Sequence, residues 1–79
     1  MENINLKKWY IDTYPTDEMA KDINPEIGFE DVFNTINSYK DIYNLIGVCD
    51  SIIRERIFEK LAAITGHTYN EIYNKWLLN

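Results

Sequence analysis

Apolar side chains recur at helical spacing five times within 79 residues, and no other feature restricts the possible folds of this chain as strongly. Leu6, Trp9, Tyr10 and Thr13 fall at offsets 0, 3, 4 and 7; Phe29, Val32, Phe33 and Ile36 repeat that pattern, as do Tyr39, Ile42, Tyr43 and Ile46. Ile53, Ile57, Leu61 and Ile64 form a longer stripe, and Tyr69, Ile72, Tyr73, Trp76 and Leu77 form the last. At 3.6 residues per turn, each set lines one face of an amphipathic helix. No segment alternates long enough to compete as a strand. The expectation is an all-α fold: one domain over residues 1–79, a compact bundle of about five short helices with a helix-turn-helix-like C-terminal corner.

The residues between the stripes support that division. Pro15 breaks the first helix, and Thr16 is placed to cap a short one through "TDEMAKD", with Asp17 and Glu18 in its first turn. "INPEIG" reads as a loop, because a residue before proline avoids the helical region and Gly28 relaxes the backbone. Ser38 with Asp41 has the form of a capping box, Gly47 suits a left-handed stop, and Asp50 or Ser51 starts the next helix. Gly66 ends that helix, and Thr68 with Glu71 boxes the start of the last.

A core this small leaves few large apolar residues to spare, so most of the two Trp, three Phe and six Tyr are expected inside. No apolar run reaches the roughly 18 residues a membrane span needs, and the opening "MENINLKKWYIDTYP" has no signal-peptide core. A cytoplasmic location is therefore expected. The single Cys49 fits it, because one thiol forms no internal disulfide.

Charge is unevenly spread. The net charge is −5, yet the stretch Asp12 to Asp31 holds seven acids (Asp12, Asp17, Glu18, Asp22, Glu26, Glu30, Asp31) against Lys21 alone. Such a segment repels nucleic acid and favours a partner with a basic surface.

"LAAITGHTYNEIYNKW" raises the opposite possibility. Leu61, Ala62, Gly66 and Ile72 sit where a helix-turn-helix needs a core residue, a small contact residue, a turn glycine and a second core residue. Any tight helix corner has those needs. DNA binding would depend on the outer face of the last helix, where Asn70 and Asn74 are suited to base edges and Lys75 is the one firm cation. Phosphate contacts supply most of the affinity of such proteins, so a single cation argues against nucleic acid as the partner.

Chemistry finds little support. One His excludes a metal site built on repeated His and Cys ligands, and His67 has no recognisable nucleophile beside it. Cys49 is expected as a small buried residue of the "GVCDS" corner. Asp17–Glu18 and Glu30–Asp31 are adjacent pairs whose side chains diverge by about 100° on a helix, so neither converges on one substrate atom. "DINPEIGFED" lacks the ligand spacing of an EF-hand, and no glycine-rich phosphate loop is present. No enzyme activity and no cofactor are expected.

"WYIDTYPTDEMAKDIN", "FEDVFNTI", "YNLIGVCDSIIRERIFEKLA" and "YNEIYNKWL", in that order, resemble a family of small domains of unknown function found in phages and mobile elements of Gram-positive bacteria. The most specific pieces are Tyr14 to Glu18 and Asp50 to Arg56. The resemblance carries no catalytic residue. It implies a setting in which small acidic proteins bind anti-phage nucleases. The leading expectation is thus a non-enzymatic inhibitor of a host nucleic-acid defence enzyme, a CRISPR effector or restriction system, acting through Asp17, Glu18, Asp22, Glu30 and Asp31. The alternatives are a DNA-binding regulator using Asn70, Asn74 and Lys75, and a self-associating structural module.

Overall fold

The computed structural model describes residues 4–77, and of Leu77 only the backbone. Five α-helices follow one another: α1 (Leu6–Thr13), α2 (Phe29–Thr35), α3 (Tyr39–Ile46), α4 (Ser51–Thr65) and α5 (Tyr69–Leu77), with a 3-10 helix, Glu18–Asp22, between the first two. The radius of gyration, 11.5 Å, is close to the roughly 11.6 Å of a well-packed chain of this length. The sole β pairing among the described residues is the isolated bridge between Asn5 and Gly28. There Leu6 N donates to Ile27 O (2.8 Å) and Phe29 N to Ile4 O (3.1 Å), so the starts of α1 and α2 are tied side by side.

Every helix but α2 begins with a side-chain cap for its orphan amides. The Asn5 side chain accepts from Lys8 N, the Ser38 hydroxyl from Asp41 N, and Asp50 from Ile52 N and Ile53 N. The short helix is capped by Asp17, which accepts from Met19 N, and not by Thr16 as expected. A carboxylate is the stronger acceptor there, and Asp17 is one residue nearer the turn it closes. Asp41 completes only half of the expected box, because its carboxylate reaches Asn37 N (3.3 Å) instead of the Ser38 amide. Gly28 is not a relaxed loop residue: it is buried, extended (φ −101°) and serves as the N-cap of α2, its amide donating to Asp31 Oδ2 at 2.9 Å.

Positive φ occurs among the described residues at Gly47 (+86°) and Gly66 (+78°), the two stops expected. Behind Gly47 the chain leaving the 3-10 helix seals the end of α3: Asn24 N donates to Ile46 O (3.0 Å), and the Asn24 side-chain amide donates to Leu45 O. These are carbonyls that the helix itself leaves unpaired.

The core draws on every helix, with Leu6, Tyr10, Phe29, Val32, Ile36, Ile42, Ile46, Ile53, Ile57, Leu61, Ile72 and Trp76 all buried. Phe58, outside the expected stripe, is buried too and meets Trp76 edge-on with ring centroids 4.0 Å apart. The stripes err at their margins: Thr13 is exposed and Tyr43 is 62% exposed, while Trp9, Phe33, Ile64, Tyr69 and Tyr73 are half-buried against the core.

Candidate acidic surface and helix corner

The acidic stretch divides into carboxylates the fold uses and carboxylates it leaves in solvent. Asp17 belongs to the first group. Its Oδ2 accepts from the Tyr10 hydroxyl at 2.7 Å and from Arg56 Nη1 at 3.0 Å, and that guanidinium nitrogen also donates to the Tyr10 oxygen at 2.7 Å. Arg56 lies over the Tyr14 ring, 4.0 Å from its centroid. The Tyr10 hydroxyl, then the Met19 amide, hold the Asp17 carboxyl below its ordinary value, because both donate to the charged form. Burial, reinforced by the Asp17 carboxylate, pushes the Tyr10 phenol up to about 12. The cluster joins α1, the 3-10 helix and α4.

Asp31 remains exposed but spends one oxygen on the Gly28 amide. Glu18, Asp22 and Glu30 are exposed and make no hydrogen bond or ion pair among the described residues. Glu18 and Asp22 ride on the 3-10 helix, whereas Glu30 and Asp31 occupy the first turn of α2. Folding also brings cations to this side. Lys7 Nζ donates to Lys21 O (3.3 Å), which lays the end of the 3-10 helix beside the start of α1.

Among the described residues, charge is sorted by sign. Five of the eight basic side chains face internal partners: Lys7 the Lys21 carbonyl, Arg54 the Cys49 carbonyl and the Tyr39 ring, Arg56 the Asp17 cluster, Lys60 the Trp9 ring, Lys75 the Phe33 carbonyl and ring. Carboxylates show the reverse. Asp12, Glu18, Asp22, Glu26, Glu30, Glu55 and Glu59 are all exposed and make no hydrogen bond or ion pair among the described residues.

The helix corner has the expected build. Gly66 N donates to Ala62 O (3.0 Å), Thr68 Oγ1 accepts from Glu71 N (3.2 Å), and Thr68 N donates back to Glu71 Oε1 (3.1 Å). The Thr68 amide and hydroxyl, then His67, hold the Glu71 carboxyl below its ordinary value. His67 Nδ1 lies 3.3 Å from Glu71 Oε2, and the imidazole stacks on Phe33 at 5.6 Å and 13°. Asn70 and Asn74 point to solvent as the DNA reading requires. Lys75 does not join them. Its ammonium lies over the Phe33 ring, 4.0 Å from the centroid, and donates to the Phe33 carbonyl near the end of α2. A cation is favoured at that negative helix end, so the one firm cation of the face is spent inside the fold.

Cys49 is half-buried, not fully buried as expected, with Arg54 Nη1 3.5 Å from its sulfur and 3.3 Å from its carbonyl. Among the described residues no three His, Cys, Asp or Glu side chains gather as metal ligands, and no helix is long and apolar enough to cross a membrane. Arg56 was the structural partner that sequence reasoning missed: Asp17 lies 39 residues away, and no local pattern links them. Scanned against protein-family models, curated proteins and solved structures, the chain finds no significant match.

Proposed function

We propose that this protein is a non-enzymatic binding module that works in the host cytoplasm, a phage or mobile-element product that occupies the basic nucleic-acid groove of a host defence nuclease. Glu18, Asp22, Glu30 and Asp31 form its contact set, while Asp17 holds the 3-10 helix in place from within. The observation that carries this reading is the sorting of charge: five of the eight lysine and arginine side chains are turned onto rings, carbonyls and Asp17, leaving Lys8, Lys21 and Lys40 exposed, whereas seven unpaired carboxylates face solvent. Carboxylates presented this way stand in for phosphates on a basic surface, and they speed encounter by electrostatic steering. The commitment of Lys75 to Phe33 weakens the DNA-binding alternative, since Asn70 and Asn74 would have to hold a groove without phosphate contacts.

The test is inhibition of DNA cleavage by a panel of CRISPR effectors and restriction endonucleases, with wild type compared against Glu18→Lys/Asp22→Lys/Glu30→Lys. Wild type is expected to inhibit at least one nuclease, more weakly as salt rises; the folded triple variant is expected to lose at least tenfold in potency and most of that salt dependence. Equal potency of the two proteins would reject this contact set.

A further inference from the structure

One face of α1 is not explained by the acidic surface. Lys8, Ile11 and Asp12 are all exposed, at spacing i, i+3, i+4, on the side opposite the buried Leu6 and Tyr10. Ile11 is 42% exposed in a chain that buries most of its isoleucines. With Asn5, Lys7, Lys8, Asp12 and Pro25 it lines a shallow groove of about 290 Å³. The face is electrically polar along the helix: positive toward its N-terminus at Lys8, apolar at Ile11, negative toward its C-terminus at Asp12.

A uniformly basic partner would meet Lys8, and a uniformly acidic one would meet Asp12. The surface that complements a plus–apolar–minus stripe is the same stripe run backwards. We propose that two copies of this chain associate through α1, antiparallel about a two-fold axis, each Ile11 seated in the groove of the other copy. In that arrangement Lys8 of each copy faces Asp12 of the other, as an isologous contact demands, and the two helix dipoles oppose. Lys7 adds no competing demand, because its ammonium is tied to the Lys21 carbonyl. The eight residues of α1 span only about 12 Å, so the contact is small and the association weak. It leaves Glu18, Asp22, Glu30 and Asp31 outside the contact face, so it stands or falls independently of the nuclease reading.

Sedimentation equilibrium on the full chain, from about 20 µM to about 1 mM, spans the range in which such an interface dissociates. Wild type is expected to show a monomer–dimer equilibrium. Lys8→Glu alone, or Asp12→Lys alone, turns both cross-pairs repulsive and is expected to weaken the dimer roughly tenfold. An equimolar mixture of the two variants re-forms an attractive pair at both cross-contacts, and is expected to dimerise within about twofold of wild type. That rescue cannot come from charge balance within one helix, since each variant keeps its own unbalanced helix. A monomer throughout the range, reversals that leave the dimer unchanged, or a mixture no better than its components would each overturn the proposal. Both positions are exposed, and a far-UV spectrum matching wild type excludes misfolding as the cause.

Discussion

Gly47 and Gly66 stop two helices with the same sign of φ, +86° and +78°, but their surroundings differ, and replacing each with alanine separates backbone strain from close packing. At Gly66 a Cβ would meet nothing within 4 Å. Gly66→Ala therefore carries only the left-handed penalty of an L-residue, about 1 kcal/mol. At Gly47 the added carbon would lie 2.5 Å from the Asp22 carbonyl oxygen and 3.2 Å from Asn24 Oδ1. Relief requires moving the backbone that leaves the 3-10 helix, which strains the two bonds from Asn24 to the last carbonyls of α3. Gly47 (ψ −40°) also lies outside the left-handed helical well that Gly66 (ψ 1°) occupies, so its backbone term is no smaller; with about 1 kcal/mol for each weakened bond added, Gly47→Ala is expected to cost about 3 kcal/mol or more. A chain of this length has a total stability of about 4–12 kcal/mol, so the loss is a large fraction of it. Thermal melts should place Gly66→Ala about 6 °C and Gly47→Ala about 18 °C below wild type. Urea unfolding with unchanged m values would confirm that the native state, not its compactness, had shifted. Penalties equal within about 0.5 kcal/mol would refute the reasoning, because the carbonyl contact would then be carrying no energy.

Three further perturbations address the site. Burial raises the Tyr10 phenol to about 12, above the ordinary tyrosine value of about 10; an absorbance titration of wild type minus Tyr10→Phe should place it there, and stability should fall as pH rises from about 10 through about 12, because the unfolded chain loses that proton first. Asp17, lowered chiefly by the Tyr10 hydroxyl, behaves oppositely: the stability gap between wild type and Asp17→Asn should be full above about pH 4 and close as pH falls below it, read from urea midpoints across that range. Lys75→Met leaves the Phe33 carbonyl without its donor and should lower stability by about 1 kcal/mol; a variant as stable as wild type would mean that the ammonium is not held there.

The helices were legible in the sequence because their causes are local. Each apolar stripe, each cap at Ser38, Asp50 and Thr68, and both glycine stops act within about two turns of chain. Errors arose where a residue's role depends on a distant partner. Asp17 looked like a free surface acid until Arg56 arrived from 39 residues away, and Lys75 looked like a DNA-facing cation although it reaches Phe33, 42 residues back. Phe58 follows Ile57 directly and so fell outside a one-face stripe; α4 is buried over a wider arc because α5 packs on a second side of it. Tyr43 met the periodic pattern yet lies outside, since a stripe gives the facing of a helix only to within one side chain. The acidic count of seven against one overstated the contrast in space, because Lys7 and Arg56 are drawn to the 3-10 segment by its carbonyls and by Asp17.

The most direct test of the account is an amide-shift titration of the 15N-labelled protein at low salt, run once with a Lys/Arg-rich peptide and once with duplex DNA. The account predicts saturable shifts at Glu18, Asp22, Glu30 and Asp31 with the peptide, weakening steeply as salt rises, and none at Asn70, Asn74 or Lys75 with the duplex. Shifts confined to α5 with the duplex, and a silent acidic surface with the peptide, would contradict it.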